Sequence, residues 1–200
     1  MELGILGGTF DPPHRGHCVL ADQCVRALGL ARVWFVPAFH PPHKLGRALT
    51  PFDLRLEMIR AATAADARFE VLETERHRGG VSYTVDTLRD LTRDHPGETF
   101  WLLLGEDSLA DLAGWKDPEQ IARLARLAVY RRPGTRSAIP AHLRRCARFV
   151  EGPPVDVSST ELRASLGRQE PVGDRIDPSV FAIIERERLY GWKGPEGRTS

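Results

Sequence analysis

Two histidines, His14 and His17, stand three residues apart behind a glycine pair in the segment GGTFDPPHRGH, Gly7 to His17. Gly7 and Gly8 allow the backbone to approach a bulky ligand closely. Gly16 and His17 fall where a helix should begin, and there free N–H groups and the helix dipole favour an anion. On a helical turn His14 and His17 share a face. These residue types, in this order, make a phosphate cradle flanked by two imidazoles. The segment matches neither the G-x-G-x-x-G dinucleotide fingerprint nor the G-x-x-x-x-G-K-[ST] phosphate loop. Zinc binding would need a third ligand, and Cys18 points off the face the two histidines share.

A second candidate lies far along the chain, at Ser158-Ser159-Thr160-Glu161-Leu162-Arg163. Ser158 and Glu161 fit the S-x-x-E capping box. Hydroxyls, unpaired N–H groups and Arg163 at a helix start suit phosphates. The same residues also fit a plain capped helix with Arg163 in solvent.

These segments need elements to hold them, and short apolar runs alternate with amphipathic ones along the chain. Strands are predicted at Leu3 to Leu6, Val33 to Val36, Phe69 to Leu72, Phe100 to Leu104 and Leu127 to Tyr130. Helices are predicted at Gly16 to Leu28, Phe52 to Ala65, Pro118 to Leu124 and Pro178 to Leu189. Another helix runs from an N-cap at Ser82 to about Arg93, and one opens at Ser158. The proline-rich stretch from Pro37 to Pro51 reads as a loop, and 134–157 should hold a short helix and one more strand. The pattern predicts an α/β fold with a parallel sheet covered on both faces. Ligands of such sheets bind beyond the carboxyl ends of the strands, and the unusual residues fall there. One domain over 1–190 is expected, with a small helical part at about 158–190 and a loose tail over 191–200.

The bulk composition narrows the class. Of 200 residues, 42% are hydrophobic and 28% charged, with a formal net charge of +1. No overall field pulls the chain toward nucleic acid or a membrane surface. No apolar run approaches the ~20 residues of a membrane span. Three cysteines, Cys18, Cys24 and Cys146, make no disulfide framework, and the first residues lack a signal-peptide pattern. The expected location is cytoplasmic.

G-G-T-F-D-P-P-H-x-G-H resembles the signature of the nucleotidyltransferase superfamily with the H-x-G-H motif, and Ser158 to Arg163 resembles its S-S-T-x-[IV]-R segment. The resemblance implies a Rossmann-like, doubly wound α/β fold. It also implies that Ser159, Thr160 and Arg163 hold the ATP phosphates, with Gly7, Gly8, Thr9, Phe10, Gly16 and His17 lining the same site.

Within the superfamily, the chain resembles the bacterial nicotinate-nucleotide adenylyltransferase family over nearly its whole length. Pro41-Pro42-His43-Lys44 matches that family's P-P-H-[KR] element, where His43 and Lys44 are placed to grip an acceptor phosphate. Ser82 to Leu88 matches S-Y-T-x-x-T-L, which implies that Thr84 meets the nicotinate end. Gly105, Asp107 and Trp115 match G-x-D-x-x-x-x-[LF]-x-x-W, although Glu106 stands where the family typically has Ala. Trp115 offers a flat face for a pyridine ring, and it also suits a half-buried core position. Arg131 to Gly134 matches an R-x-G turn, with Arg132 the nucleotide contact.

The implied reaction joins ATP and nicotinate mononucleotide into the dinucleotide and pyrophosphate. A phosphate oxyanion is already a nucleophile, so positioning and electrostatics carry the chemistry, with His14, His17, Lys44 and Arg163 as the catalytic set. Mg²⁺ is expected with ATP, and no metal site of the protein's own. Monomer and homodimer both stay open. So do pantetheine-phosphate adenylyl transfer, nicotinamide mononucleotide as acceptor, and a non-catalytic nucleotide-binding module.

Overall fold

The computed structural model describes residues 1–42, 48–131 and 147–194. Six parallel strands form one sheet in the order β3-β2-β1-β4-β5-β6. They are β1 (Glu2–Gly8), β2 (Arg32–Pro37), β3 (Phe69–Val71), β4 (Thr99–Gly105), β5 (Arg126–Arg131) and β6 (Ala147–Glu151). This is the doubly wound Rossmann order, and the order reverses between β1 and β4. The predicted fold class and all five named strands are borne out; β6 supplies the extra strand expected in 134–157.

Strand side chains alternate between two cores, as their period of two requires. Leu3, Ile5, Trp34, Val36, Phe100, Leu102 and Leu104 face one layer. That layer holds α4 (Thr84–Asp94), α5 (Glu106–Asp111) and α6 (Pro118–Leu124), through Val85, Leu88, Leu109 and Ile121. Leu6, Val33, Phe35, Trp101 and Leu103 face the other layer, where α1 (Arg15–Leu28) and α2 (Phe52–Thr63) contribute Ala21, Cys24, Val25 and Ile59. Burial on both faces explains why these strands are apolar runs rather than alternating ones.

A third core joins α2 to the C-terminal part. Met58 packs there with Leu162 and Leu166 of α7 (Ser159–Gly167) and with Val180 and Ile184 of α8 (Pro178–Arg186). The sequence expects a loose chain from Gly191, but Trp192 is buried in this core, edge-on to Phe181, with its indole N–H donating to Glu185 at 3.3 Å. Residues 195–200 lie outside the described residues.

Two short helices escape the sequence reading: α3 (Thr74–Arg78) and α5. Each is too short to be stable by itself and exists through tertiary contact. A second correction concerns Ser82. The N-cap of α4 is Tyr83, with extended backbone at φ −109° and ψ 131°. The Ser82 hydroxyl is used elsewhere, accepting from the His40 N–H at 3.0 Å, while the Ser82 N–H donates to the His40 carbonyl at 2.9 Å. Of the stretch 134–157, where a short helix is expected, residues 147–157 hold none, and 134–146 lie outside the described residues. Among the described residues, no helix is long and apolar enough to cross a membrane.

Candidate active site

The sheet opens at its switch point. The β1–β4 ladder ends at Ile5–Leu102, while β1 continues beside β2 to Gly8–Pro37 and β4 beside β5 to Gly105–Tyr130. Gly7 and Gly105 border this crevice, and a Cβ at either would meet no atom within 4 Å. Gly8 is needed for another reason: a Cβ there would come to 3.1 Å from the Phe10 ring.

Phe10 carries the first loop's strain, with φ at +50°. A bulky residue rarely adopts that conformation, and surrounding structure must hold it there. Its ring is buried, tilted against Phe35 at 6.0 Å and edge-on to His17 at 5.0 Å. Asp11, Pro12 and Pro13 follow, also buried, with a cis bond between Asp11 and Pro12.

His14 is the N-cap of α1, and no acidic residue occupies that helix's first turn. The N-terminus therefore keeps its preference for an external anion. The His14 and His17 rings stack at 3.8 Å with 25° between planes. The His14 backbone N–H donates to His17 Nδ1 at 3.1 Å. An acceptor Nδ1 leaves the proton of neutral His17 on Nε2, the atom free to donate to a ligand. Burial, then the neighbouring His14, hold the His17 pKa well below its ordinary 6.5. His17 is thus a neutral donor at neutral pH.

The second signature meets the first. The Ser159 hydroxyl donates to the Pro12 carbonyl at 2.9 Å, and Arg163 Nη1 donates to the Asp11 carbonyl at 2.7 Å. Arg163 Nη2 reaches the Thr160 hydroxyl at 3.3 Å. Val157 lies beneath Gly16, where a Cβ would approach its methyl to 3.2 Å. The Ser158–Glu161 capping box forms as read from the sequence. Capping and docking are therefore divided between neighbours: Ser158 and Glu161 start the helix, while Ser159 and Arg163 tie it to the loop.

Two of the acceptor candidates, Thr84 and Trp115, stand on neighbouring segments. Thr84 opens α4, and Trp115 is half-buried against the core beside it. Lys116 joins the two segments, with Nζ at 2.7 Å from Asp86 and 4.4 Å from the Tyr83 ring centre. The loop after β2 connects these segments to the first loop. The Ala38 N–H donates to the Gly8 carbonyl at 2.8 Å, and His40 pairs with Ser82 as described. His43, Lys44 and Arg132 lie outside the described residues.

Asp107 is exposed on the first turn of α5. Glu106 is buried and forms an ion pair with Arg131 at 3.1 Å, while Arg131 also lies over the Phe149 ring. The residue that departs from the family's usual Ala therefore has a local cation at the end of β5.

Sequence reasoning missed the residues that brace this site. Arg55, on α2, is buried and donates to the carbonyls of Thr9, Ala38 and Thr50. The Tyr190 hydroxyl donates to Asp11 Oδ1 at 2.7 Å. Glu75 accepts from the Thr87 hydroxyl at 2.7 Å and from the Phe39 N–H at 3.3 Å. One signal was available for Arg55: it shares the apolar stripe of α2 with Met58 and Ile59, three and four residues on.

Burial pushes the Cys18 thiol up to about 11 and the Cys24 thiol up to about 12, so neither supplies a thiolate. Among the described residues, no three His, Cys, Asp or Glu side chains group as a metal-holding set.

A switch-point crevice lined by a glycine–histidine loop, with a hydroxyl-rich helix start bonded to that loop, defines a nucleotidyltransferase. The cytidylyltransferase-like family model matches residues 5–165. The chain is 42% identical, over 94% of its length and 98% of the relative, to the "probable nicotinate-nucleotide adenylyltransferase" of Chromobacterium violaceum. It is 41% identical to the protein so described in Roseiflexus sp., over 94% of this chain and 97% of that one. The chain belongs to the nicotinate-nucleotide adenylyltransferase family. Among solved structures, the Plasmodium falciparum nicotinic acid mononucleotide adenylyltransferase complexed with NaAD shares the fold. Its TM-score is 0.81 at 21% identity, covering 96% of this chain and 98% of that one.

Proposed function

We propose that the chain transfers AMP from ATP to nicotinate mononucleotide, giving nicotinate adenine dinucleotide and pyrophosphate. The carrying observation is the meeting of two distant signatures, through Ser159 on Pro12 and Arg163 on Asp11. Family membership gives the acceptor.

ATP enters as its Mg²⁺ complex, with the ion held mainly by phosphates and water. The acceptor 5′-phosphate attacks the α-phosphorus in line, the α–β bridging bond breaks, and pyrophosphate leaves. No general base is needed. His17 donates from Nε2 to the charge growing on the phosphates, and His14 acts beside it. A neutral imidazole suits this role, because it already carries its proton and stays in place. Ser159, Thr160 and Arg163 hold the β- and γ-phosphates, and the Gly7–Phe10 loop, Gly16, Gly105, Asp107 and Arg132 line the nucleotide. His43 and Lys44 grip the acceptor phosphate. Thr84 and Trp115 take the pyridine end. In this reading the protein works in the cytoplasm, as a monomer or homodimer, without nucleic acid or membrane.

The test is pyrophosphate release and dinucleotide formation from MgATP with nicotinate mononucleotide, nicotinamide mononucleotide or phosphopantetheine. Nicotinate mononucleotide should give the highest kcat/KM. Preference for another acceptor overturns the substrate assignment, and silence with all three overturns the enzymatic one.

A further inference from the structure

We infer that Arg55 is a positioning residue that holds the ATP loop and the acceptor loop in register for in-line attack. The inference rests on the proposed AMP transfer, and it gives a task to a residue no motif assigns.

Arg55 is 2% exposed. Nη1 donates to the Thr9 carbonyl and to the Ala38 carbonyl, each at 2.8 Å, and Nε donates to the Thr50 carbonyl at 3.0 Å. Thr9 belongs to the loop after β1 that leads to the histidines. Ala38 belongs to the loop after β2 that leads to the acceptor candidates, and Thr50 closes that loop at the start of α2. One guanidinium nitrogen therefore bridges the two segments that must bring the reactants together.

A buried guanidinium carries a large desolvation cost unless geometry repays it. Met58 and Ile59, one turn further along α2, are apolar and fully buried. The charge is instead placed where its acceptors are loop carbonyls, with Asp11 and Glu75 supporting it electrostatically. A trans peptide whose carbonyl faces Arg55 directs its N–H the opposite way. At Ala38–Phe39 that N–H is taken by Glu75 at 3.3 Å. At Thr9–Phe10 the same constraint fixes the peptide just before the strained Phe10, whose φ is +50°. Lysine could supply the charge, but its compact ammonium cannot reproduce the planar fork that spans these acceptors.

Loss of register and loss of binding have different kinetic signatures. Each loop keeps its own contacts to its own substrate, so binding survives while alignment is lost, and a displacement of ~1 Å costs about 10²-fold in rate. The experiment compares wild type, Arg55→Lys and Arg55→Met. It measures kcat and KM for both substrates, separate binding of a non-hydrolysable ATP analogue and of nicotinate mononucleotide, and the circular-dichroism melt. Both variants should fold. Their kcat should drop by about 10–10²-fold, with each KM and each separate affinity within a few-fold of wild type. If Arg55→Met does not fold, Arg55→Lys decides.

A folded variant with near wild-type kcat overturns the inference. So does a loss confined to one substrate's KM, which would make Arg55 a binding determinant only. A wild type inactive with nicotinate mononucleotide instead defeats the acceptor assignment. The Arg55 comparison is then read from pyrophosphate release with whichever other acceptor reacts, and fails if none does.

Discussion

Two arginines at opposite ends of the sheet show how differently one side chain can be used. At the amino end, Arg126 pairs with Glu2 at 2.8 Å, with the two side chains 59% and 39% exposed. The guanidinium lies over Trp101, whose indole N–H also donates to Glu2. At the carboxyl end, Arg55 is buried and bonds to backbone carbonyls of separate segments. The first arrangement is hydrated, screened by salt, and joins strands that the sheet ladder already holds. The second excludes water and fixes the relative placement of loops that secondary structure does not hold. Conserving charge at the first place should matter little, and conserving geometry at the second should matter greatly.

The sharpest break of that contrast lies in the site itself. His17→Ala should lower kcat by ~10²-fold or more with the melt unchanged, as when a preorganised donor is removed. Turnover within a few-fold of wild type would end the role assigned to Nε2. The Arg55 variants come next, with the loss described above.

Tyr190→Phe tests whether the C-terminal turn braces the first loop. It removes the donor to the buried Asp11 and should cost about 1–3 kcal/mol in urea denaturation. A variant as stable as wild type would show that Asp11 does not need this partner.

Acid should find the carboxyl end first. His17 is held below 6.5 by burial and by His14, so between its two values the unfolded chain binds a proton that the folded chain does not. Its stabilising contribution is complete above pH 6.5 and declines as pH falls below it, with a slope of at most about 1.4 kcal/mol per pH unit. Urea midpoints from pH 7.5 to 5.5 should show this slope, and His17→Gln should flatten it. An equal slope in the variant would assign the effect to other groups.

Arg126→Ala should do least. A loss of about 0.5 kcal/mol is expected for an exposed pair, with kcat and both KM values unchanged. A loss as large as that of Tyr190→Phe would erase the distinction between the two ends.

The chain order of residues was enough for the elements that repeat a local rule. Apolar runs gave five strands because both faces of this sheet are buried, and the 3.6 period gave α1 and α2. The Ser158–Glu161 box was legible because a cap is satisfied within four residues. Ser82 shows where such reading stops. A serine before a helix has the local form of a cap, yet its hydroxyl bonds His40, 42 residues away. Trp192 looked like part of a polar tail because it meets its partners, Phe181 and Glu185, only when the turn at Leu189–Gly191 folds the chain back onto α8.

The sequence by itself determined the phosphate chemistry. Glycines for close approach, histidines at a helix start and a hydroxyl-rich second helix start each carry their meaning locally. Only the tertiary structure decided which of these groups meet. It placed Ser159 and Arg163 on the carbonyls of Pro12 and Asp11, fixed the proton of His17 on Nε2, and placed Arg55 between the loops after β1 and β2. Those are hydrogen bonds to backbone atoms, or through them. Every residue but proline offers the same backbone donor and acceptor, so no side-chain pattern can announce them.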